Sequence, residues 1–561
     1  MRILILLLIT FSTYSQKSVQ GIVKNNDGNY IGGANILIPS QNQILFSDDR
    51  GMFYLNTDLD SIIIRISHVG YLSNEFNVGV KDKKMIEFVL DDGIILNDEV
   101  KVTSTRVKRN SPYAYSNVTK NFIEKNNIGS DIPFIIQSTP STYATSDAGN
   151  GVGYTSLRIR GSDATRINVT INGIPYNDSE SHGVFWVNMP DLASSSSSIQ
   201  VQRGVGSSTN GGGAFGGTVS IKTGNITEDF RVDYSSSAGS FKTFKNSLEI
   251  NSGLIKEKVN FNLRLSKINS DGYIDRSSSD LKSYYASASY YGEKTVIDLI
   301  NFSGKEKTYQ SWWGTPQSRI ENDIDGMNAV IANNGYNNKQ SENLLNSGRT
   351  FNYYLYENET DNYQQDHYQV HFNHEVSKNS NLHLALHYTY GRGYYEQFRE
   401  DDNLFNYYNI LENKEIDLVR RRWLDNHFYG ITYSFFKKMD NGELNIGGAI
   451  NEYDGDHFGL IIDPVIDIKE PYYFSKSFKT DYNIFFKYNF NISKSTELFS
   501  DLQIRGYTHK MKGNDNDKSE IDIDKSNIFL NPKIGVTSSL NEKVSLYGSV
   551  AVANREPIRN D

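Results

Sequence analysis

The chain contains no cysteine. That absence excludes structural disulfides, thiolate-ligated zinc or iron–sulfur centres, cysteine nucleophiles and anchoring through a lipidated cysteine. Beyond the first dozen residues there is no apolar run approaching the roughly 18 residues of a membrane-spanning helix, and the mean hydropathy is −0.52. A basic surplus is missing as well: the formal net charge of −9 argues against nucleic acid as a partner. None of these absences excludes a transmembrane barrel, because only alternate residues of a barrel strand face lipid. Tyrosine outnumbers phenylalanine, 37 to 29, and tyrosine suits membrane interfaces where one end of the ring is apolar and the other wet. At 561 residues the chain exceeds one ordinary domain, so several units are expected.

Arg2, the Leu/Ile run over residues 3–9, and the small residues Thr13 and Ser15 predict a secretory signal peptide spanning residues 1–15. Residues 16–92 predict a small β-sandwich, with short alternating strands around Val19–Val23, Ala34–Ile38 and Ile62, Ile64 and Ile66 separated by Gly/Asp turns. Residues 93–110 are a polar connector holding one strand-like stretch, Asp98, Glu99, Val100, Lys101, Val102, Thr103 and Ser104. Residues 111–228 are rich in Gly and Ser, which favours tight turns and close backbone approaches over a large apolar core.

From residue 229 to 561 the pattern changes to long strands of period two. Val259, Phe261, Leu263 and Leu265 are apolar while Asn260, Asn262 and Arg264 between them are polar. The alternation recurs over residues 382–388 and, with Phe485 as the exception, over 482–490. About thirteen such strands are expected. Short links at 377–381, 437–442, 492–496 and 540–543 alternate with long ones at 305–362, 392–422, 454–478 and 510–525, the rhythm of an outer-membrane barrel. A charge on the lipid face near mid-bilayer costs roughly 2–4 kcal/mol, so the alternation is an energetic requirement of spanning. The expected fold class is therefore all-β dominated, with a small N-terminal sandwich and a transmembrane antiparallel barrel.

Two stretches resemble known families. Gly21, Val23, Gly28, Ile31, Gly33, Ala34, Asn35, Ile38, Asp49, Gly51 and Phe53 are similar to the carboxypeptidase regulatory-like domain, a transthyretin-like accessory sandwich that is not itself catalytic. Residues 157–162, 169–178, 199–204 and 211–221 resemble, in that order, segments of the plug of TonB-dependent receptors, with Asn172 standing where the family usually has Asp. Asp98 to Ser104 looks like the TonB box that precedes the plug. The segments at 312–316 and 453–459 look more like the siderophore type than the glycan-importing type.

The resemblance implies an α+β class for the domain between the sandwich and the barrel, and a barrel of 22 strands, of which about 13 fall within this chain, so that the chain is C-terminally truncated. It implies that ligand binds from outside, that residues 98–104 pair by strand addition with the C-terminal domain of TonB, and that force from the inner-membrane proton gradient rearranges the plug. It also implies that Arg158, Arg160 and Arg203 pair with carboxylates of the barrel wall, acting as latches. No enzymatic step and no cofactor are expected. The resemblance implies as partners TonB with its inner-membrane complex, outer-membrane lipid and an extracellular small ligand, and it implies that the N-terminal domain and TonB box lie in the periplasm. The expected cargo is a ferric siderophore or other metal chelate. The alternatives are a glycan or oligopeptide importer working with a surface lipoprotein, and a passive adhesin.

Among individual residues, Tyr309, Trp312 and Trp313 open the longest loop and suit either stacking on a planar ligand or an aromatic girdle. His367, His371, His383 and His387 share lumen-facing parity on two neighbouring strands and are weak candidates for metal or haem. The acidic stretch at 514–524 lacks the spacing of an EF-hand, and the glycines at 204–217 are not followed by the Lys-Ser/Thr of a phosphate loop.

Overall fold

The computed structural model describes residues 17–559 except 26–27, 42, 49, 69–70, 81–84, 91–105, 108–110, 209–214, 225, 228, 409–412, 463–469 and 542–543. The expected signal peptide and the stretch from Asp98 to Ser104 lie outside the described residues. The chain divides into two units at residue 100.

The first unit is a two-sheet β domain. Lys17–Asn25 lies between Met52–Thr57, antiparallel, and Ile86–Leu90, parallel. The second sheet runs in the order Gln43–Phe46, Asn35–Ile38, Ser61–His68, Tyr71–Gly79. Period-two alternation sends Ile62, Ile64 and Ile66 into a core with Val23, Ile36, Leu55 and Phe88. Gly51 turns the chain at φ 71°, where a Cβ would stand 2.4 Å from the Val23 carbonyl, so glycine is required there.

The second unit holds an inner α+β domain against a large sheet. The inner sheet has five strands in the order Ile174–Pro175, Ile167–Ile171, Gly217–Thr223, Ser196–Arg203, Ala114–Thr119, and a hairpin of Thr142–Ser146 with Thr155–Ile159 sits beside it. Its core includes Ile159, Val169, Ile199 and Val219, and it is completed by Tyr285, Ile300 and Phe302 of the large sheet. The inner domain is therefore packed on the wall and not merely tethered to it.

The wall is a thirteen-stranded antiparallel meander from Arg231–Gly239 to Ser545–Ala551, each strand paired with the next in sequence. Its packing is inverted relative to a water-soluble sheet. Along Val259–Ser270, Arg264 is 1 % exposed toward the inner domain while its neighbour Leu263 is 40 % exposed outward. An apolar exterior and polar interior are what a strand between lipid and an aqueous lumen requires. Phe485, the break in the alternation, is buried on the inner side.

The long links differ from expectation. The stretches expected as loops at 392–422, 454–478 and 510–525 are largely strand: Ser380–Asn403 and Glu415–Met439 run 24 and 25 residues, and Thr496–Asn514 pairs with Glu520–Ser539 out to residue 520. Spanning needs only about 9–11 residues, so these hairpins continue as a ladder beyond the bilayer, where the outer face has no reason to stay apolar. Alternation fades there although strand pairing does not, so polar sequence reads as loop where the backbone is still a paired strand. On the last of these hairpins Lys510 pairs with Asp524 at 3.3 Å, so part of the acidic stretch is matched by cross-strand lysine. The 310–359 link instead carries three helices, Gln317–Glu321, Ile324–Asn334 and Asn338–Asn346, closed over Met327, Leu344 and Phe351.

Candidate functional site

Two features of the second unit have functional geometry: a buried ionic anchor between inner domain and wall, and a cavity between the inner domain and the long links.

The anchor centres on Asp191, which sits at φ 55° ahead of a short 3-10 turn, Leu192–Ser195. Its Oδ1 accepts from Lys245 Nζ at 2.6 Å, Asn127 Nδ2 at 2.9 Å and Ser194 Oγ at 2.6 Å. Its Oδ2 accepts from Arg264 at 3.2 Å and Ser266 Oγ at 2.7 Å. Lys245 and Arg264 are the lumen-facing members of adjacent wall strands, and all three charges are buried. Burial opposes ionisation of Asp191, but Lys245, Arg264 and the surrounding hydrogen bonds outweigh it and hold the carboxyl well below the usual carboxylate range. Nearby, Gly304 of the wall lets the inner domain approach so closely that a Cβ would lie 2.1 Å from the Asn188 carbonyl. Further along, Lys533 Nζ donates to the Gly206 carbonyl at 2.7 Å, and Ser208 N donates to Asp501 at 3.0 Å.

The three arginines expected as latches make no ion pair with the wall among the described residues. Arg158 and Arg160 are exposed, and Arg203 donates to Ser116 Oγ at 2.9 Å and to the Tyr115 carbonyl within the inner sheet. Among the described residues, the ion pairs from the inner domain to the wall and the segment after it are made by Asp191 with Lys245 and Arg264, by Glu180 with His457 and Arg559, and by His182, whose ring lies 3.2 Å from the buried Glu556. Period-two parity explains the difference: Arg158 lies between buried Leu157 and Ile159 and so must face away from the core they enter. Within the connector, Arg106 is buried and donates to the Ser198 and Ser220 hydroxyls and carbonyls, tying the connector to two strands of the inner sheet.

The cavity, of about 660 Å³, is walled by Tyr154, Tyr176 and Phe185 of the inner domain and by Trp312, Tyr363 and Tyr395 of the wall and its links. Trp312 stands edge-on to Tyr154 and Tyr395, each at 5.5 Å between ring centroids. The Tyr154 hydroxyl donates to Asp361, and burial together with Asp361 and Glu306 pushes its pKa well up. At the rim, Glu180 accepts from His457 at 2.6 Å and from the Tyr453 hydroxyl at 2.8 Å. Burial would raise the Glu180 pKa, but the hydrogen bond and charge of His457 and the charge of Arg559 prevail and bring it down to about 2.

Of the expected aromatic residues, Trp312 lines the cavity. Trp313 is 74 % exposed and packs edge-on to Tyr353, while Tyr309 is buried, its hydroxyl donating to the Tyr356 carbonyl at 2.7 Å. Of the histidines, His367 lines the cavity, stacked on Phe302 at 4.3 Å. His371 and His383 stack on each other at 5.6 Å, and His387 bonds Asn451 at 2.9 Å. The register sets His367 opposite Thr389, His371 opposite Ala385, His383 opposite Asn373 and His387 opposite Gln369, so the four fall into two diagonal pairs, His371 with His383 and His367 with His387, and not into one cluster. Among the described residues no group of three His, Cys, Asp or Glu side chains is placed to hold a metal ion. Sequence reasoning misses Asp191, Lys245, Glu306 and Asp361. Lys245 carries one signal, a charge at a lumen-facing strand position, whereas Asp191 lies in a turn of the inner domain and Glu306 and Asp361 fall within the stretch expected as the 305–362 link.

Residues 107–218 match the TonB-dependent Receptor Plug Domain and residues 19–102 the CarboxypepD_reg-like domain. No curated protein matches the chain. Among solved structures, the ferric-catecholate import receptor Fiu from E. coli K12 is similar at TM-score 0.57 and 14% identity, over 80% of this chain and 70% of that one. FpvA of P. aeruginosa bound to pyoverdine and iron gives 0.59 and 13%, over 80% of this chain and 58% of that one. The copper transporter OprC gives 0.59 and 14%, over 81% and 64%. This chain thus spans between 58% and 70% of those three. It carries the plug domain of the TonB-dependent receptors, set against a sheet with the fold of their barrels, and a CarboxypepD_reg-like domain ahead of the plug.

Proposed function

We propose that the protein is an outer-membrane receptor that binds an extracellular small ligand, a ferric siderophore or another metal chelate, and passes it to the periplasm using energy delivered by TonB. The observation that carries this reading is the aromatic-walled cavity between the plug and the long links, because it joins a ligand seat to the element that must move. A movement of the plug changes the cavity directly, since Tyr154, Tyr176 and Phe185 belong to the plug. The similar structures point the same way, as their names record import of ferric catecholate, binding of ferric pyoverdine and transport of copper.

In this reading residues 98–104 add a strand to the C-terminal domain of TonB, and the main-chain hydrogen bonds carry the load. Arg106 then transmits the pull to the plug sheet through Ser198 and Ser220. The test is accumulation of a radiolabelled ferric chelate in cells that depend on this receptor. Deletion of Asp98 to Ser104 is expected to abolish accumulation while leaving surface binding intact. Unchanged accumulation defeats the proposal.

A further inference from the structure

The charge around the cavity is one-sided. Asp147, Asp178, Glu306, Asp361 and Asp515 line it against two arginines, and no lysine does so among the described residues. Both arginines are already engaged. Arg422 lies 3.8 Å from Asp515 with its guanidinium 5.3 Å over the Tyr395 ring, and Arg559 lies 3.2 Å from Glu180.

The deepest acid is the informative one. Glu306 is 1 % exposed, its Oε2 accepts from the Thr308 hydroxyl at 3.1 Å, and its Oε1 is buried without a hydrogen-bond partner. The register pairs Glu306 with Tyr363 and Thr308 with Asp361, so Glu306 and Asp361 are diagonal neighbours on one face, about 7–8 Å apart at the backbone. A buried acceptor with nothing to accept from is costly unless a ligand supplies the donor. The rings of Tyr154, Trp312 and Tyr395 stand around the same space, and aromatic faces attract cations.

We propose that the cavity selects a cationic cargo: a ligand presenting a protonated amine or guanidinium that seats on Glu306 and Asp361, with its body against the aromatic wall. The inference rests on the cavity being the ligand seat, and within chelates it favours one with a pendant ammonium group over a polyanion. A trianionic chelate would meet five acidic side chains and no unengaged arginine in the lining among the described residues.

The test measures binding to the purified full chain in detergent by quenching of intrinsic fluorescence, with two matched pairs of probes. One pair is a linear ferric trihydroxamate with a free terminal ammonium and its N-acetylated form. The other is a lysine-containing tripeptide and its Nε-acetylated form. The cationic member of at least one pair is expected to bind about tenfold more tightly, the scale of a hydrogen bond to a charged group. Glu306→Gln, which mimics a protonated acid, and Asp361→Asn are each expected to erase the preference while leaving the neutral member unchanged. A preference confined to the peptide pair would keep the cationic selectivity and defeat the chelate reading. Equal binding within both pairs, no binding of any probe, or a preference that survives both substitutions overturns the inference.

Discussion

Removing the charge of Asp191 should free the plug. In Asp191→Asn the side chain keeps its size and the Oδ1 acceptor, but Lys245 and Arg264 lose their shared counter-ion while remaining buried. Breaking a buried pair from one side costs about 3–5 kcal/mol, because the surviving charge stays desolvated. Here two cations are stranded, and partial relief from Ser194, Ser195 and Ser283, which already contact them, places the expected loss within that range. A loss of about 3–5 kcal/mol raises the undocked population by roughly two to nearly four orders of magnitude. The assays are plug cleavage by an external protease and leakage of a large hydrophilic antibiotic through the outer membrane. Lys245→Met in the Asp191→Asn background should recover part of the loss. The acid also sets the pH dependence. Its folded pKa is depressed, so its stabilisation is complete above the unfolded value of about 4 and fades as pH falls toward the folded value. If Asp191→Asn docks as firmly as wild type at pH 7, the anchor is not what holds the plug.

Gly304→Ala should block docking without harming the wall, since the added methyl meets Asn188 and Pro190 of the plug, and it is expected to give protease-sensitive plug in a properly inserted barrel. Leu263→Lys should cost roughly 2–4 kcal/mol of barrel stability by urea unfolding in lipid, with the apolar swap Leu263→Ile close to neutral as its control. Asp131, in the plug, is buried with one hydrogen bond from Thr155 at 2.8 Å, and burial pushes its pKa up to about 7. The raised value penalises the folded state progressively between pH about 4 and 7 and fully above, so Asp131→Asn should match wild type in melting temperature at pH 4 and exceed it at pH 8. A constant difference across that range would contradict the assignment.

The thirteen wall strands were legible because lipid enforces period two within the bilayer, as at Val259 to Leu265. Their full lengths were not legible, because beyond the bilayer the hairpin ending at Glu520 is held by cross-strand bonds that demand little of side-chain polarity. Trp312 could be named from sequence as an aromatic at the start of a long link. That it enters the cavity while Trp313 leaves it was fixed by the packing of Trp312 against Tyr154 and Tyr395, residues more than eighty positions away on either count.

The sequence by itself determined the order of domains, the inside and outside of each spanning strand and the glycine-rich character of the plug, since periodicity, turn chemistry and local motifs act over a few residues. Only the tertiary structure decided which charges meet. Parity puts Lys245, Arg264, Glu306 and the four histidines on the inner face, but a face does not specify partners. The strand register and the seating of the plug bring Lys245 and Arg264 onto Asp191, divide the histidines into two diagonal pairs and set Glu306 beside Asp361. Coulomb energy depends on distances across the fold, which no local pattern encodes.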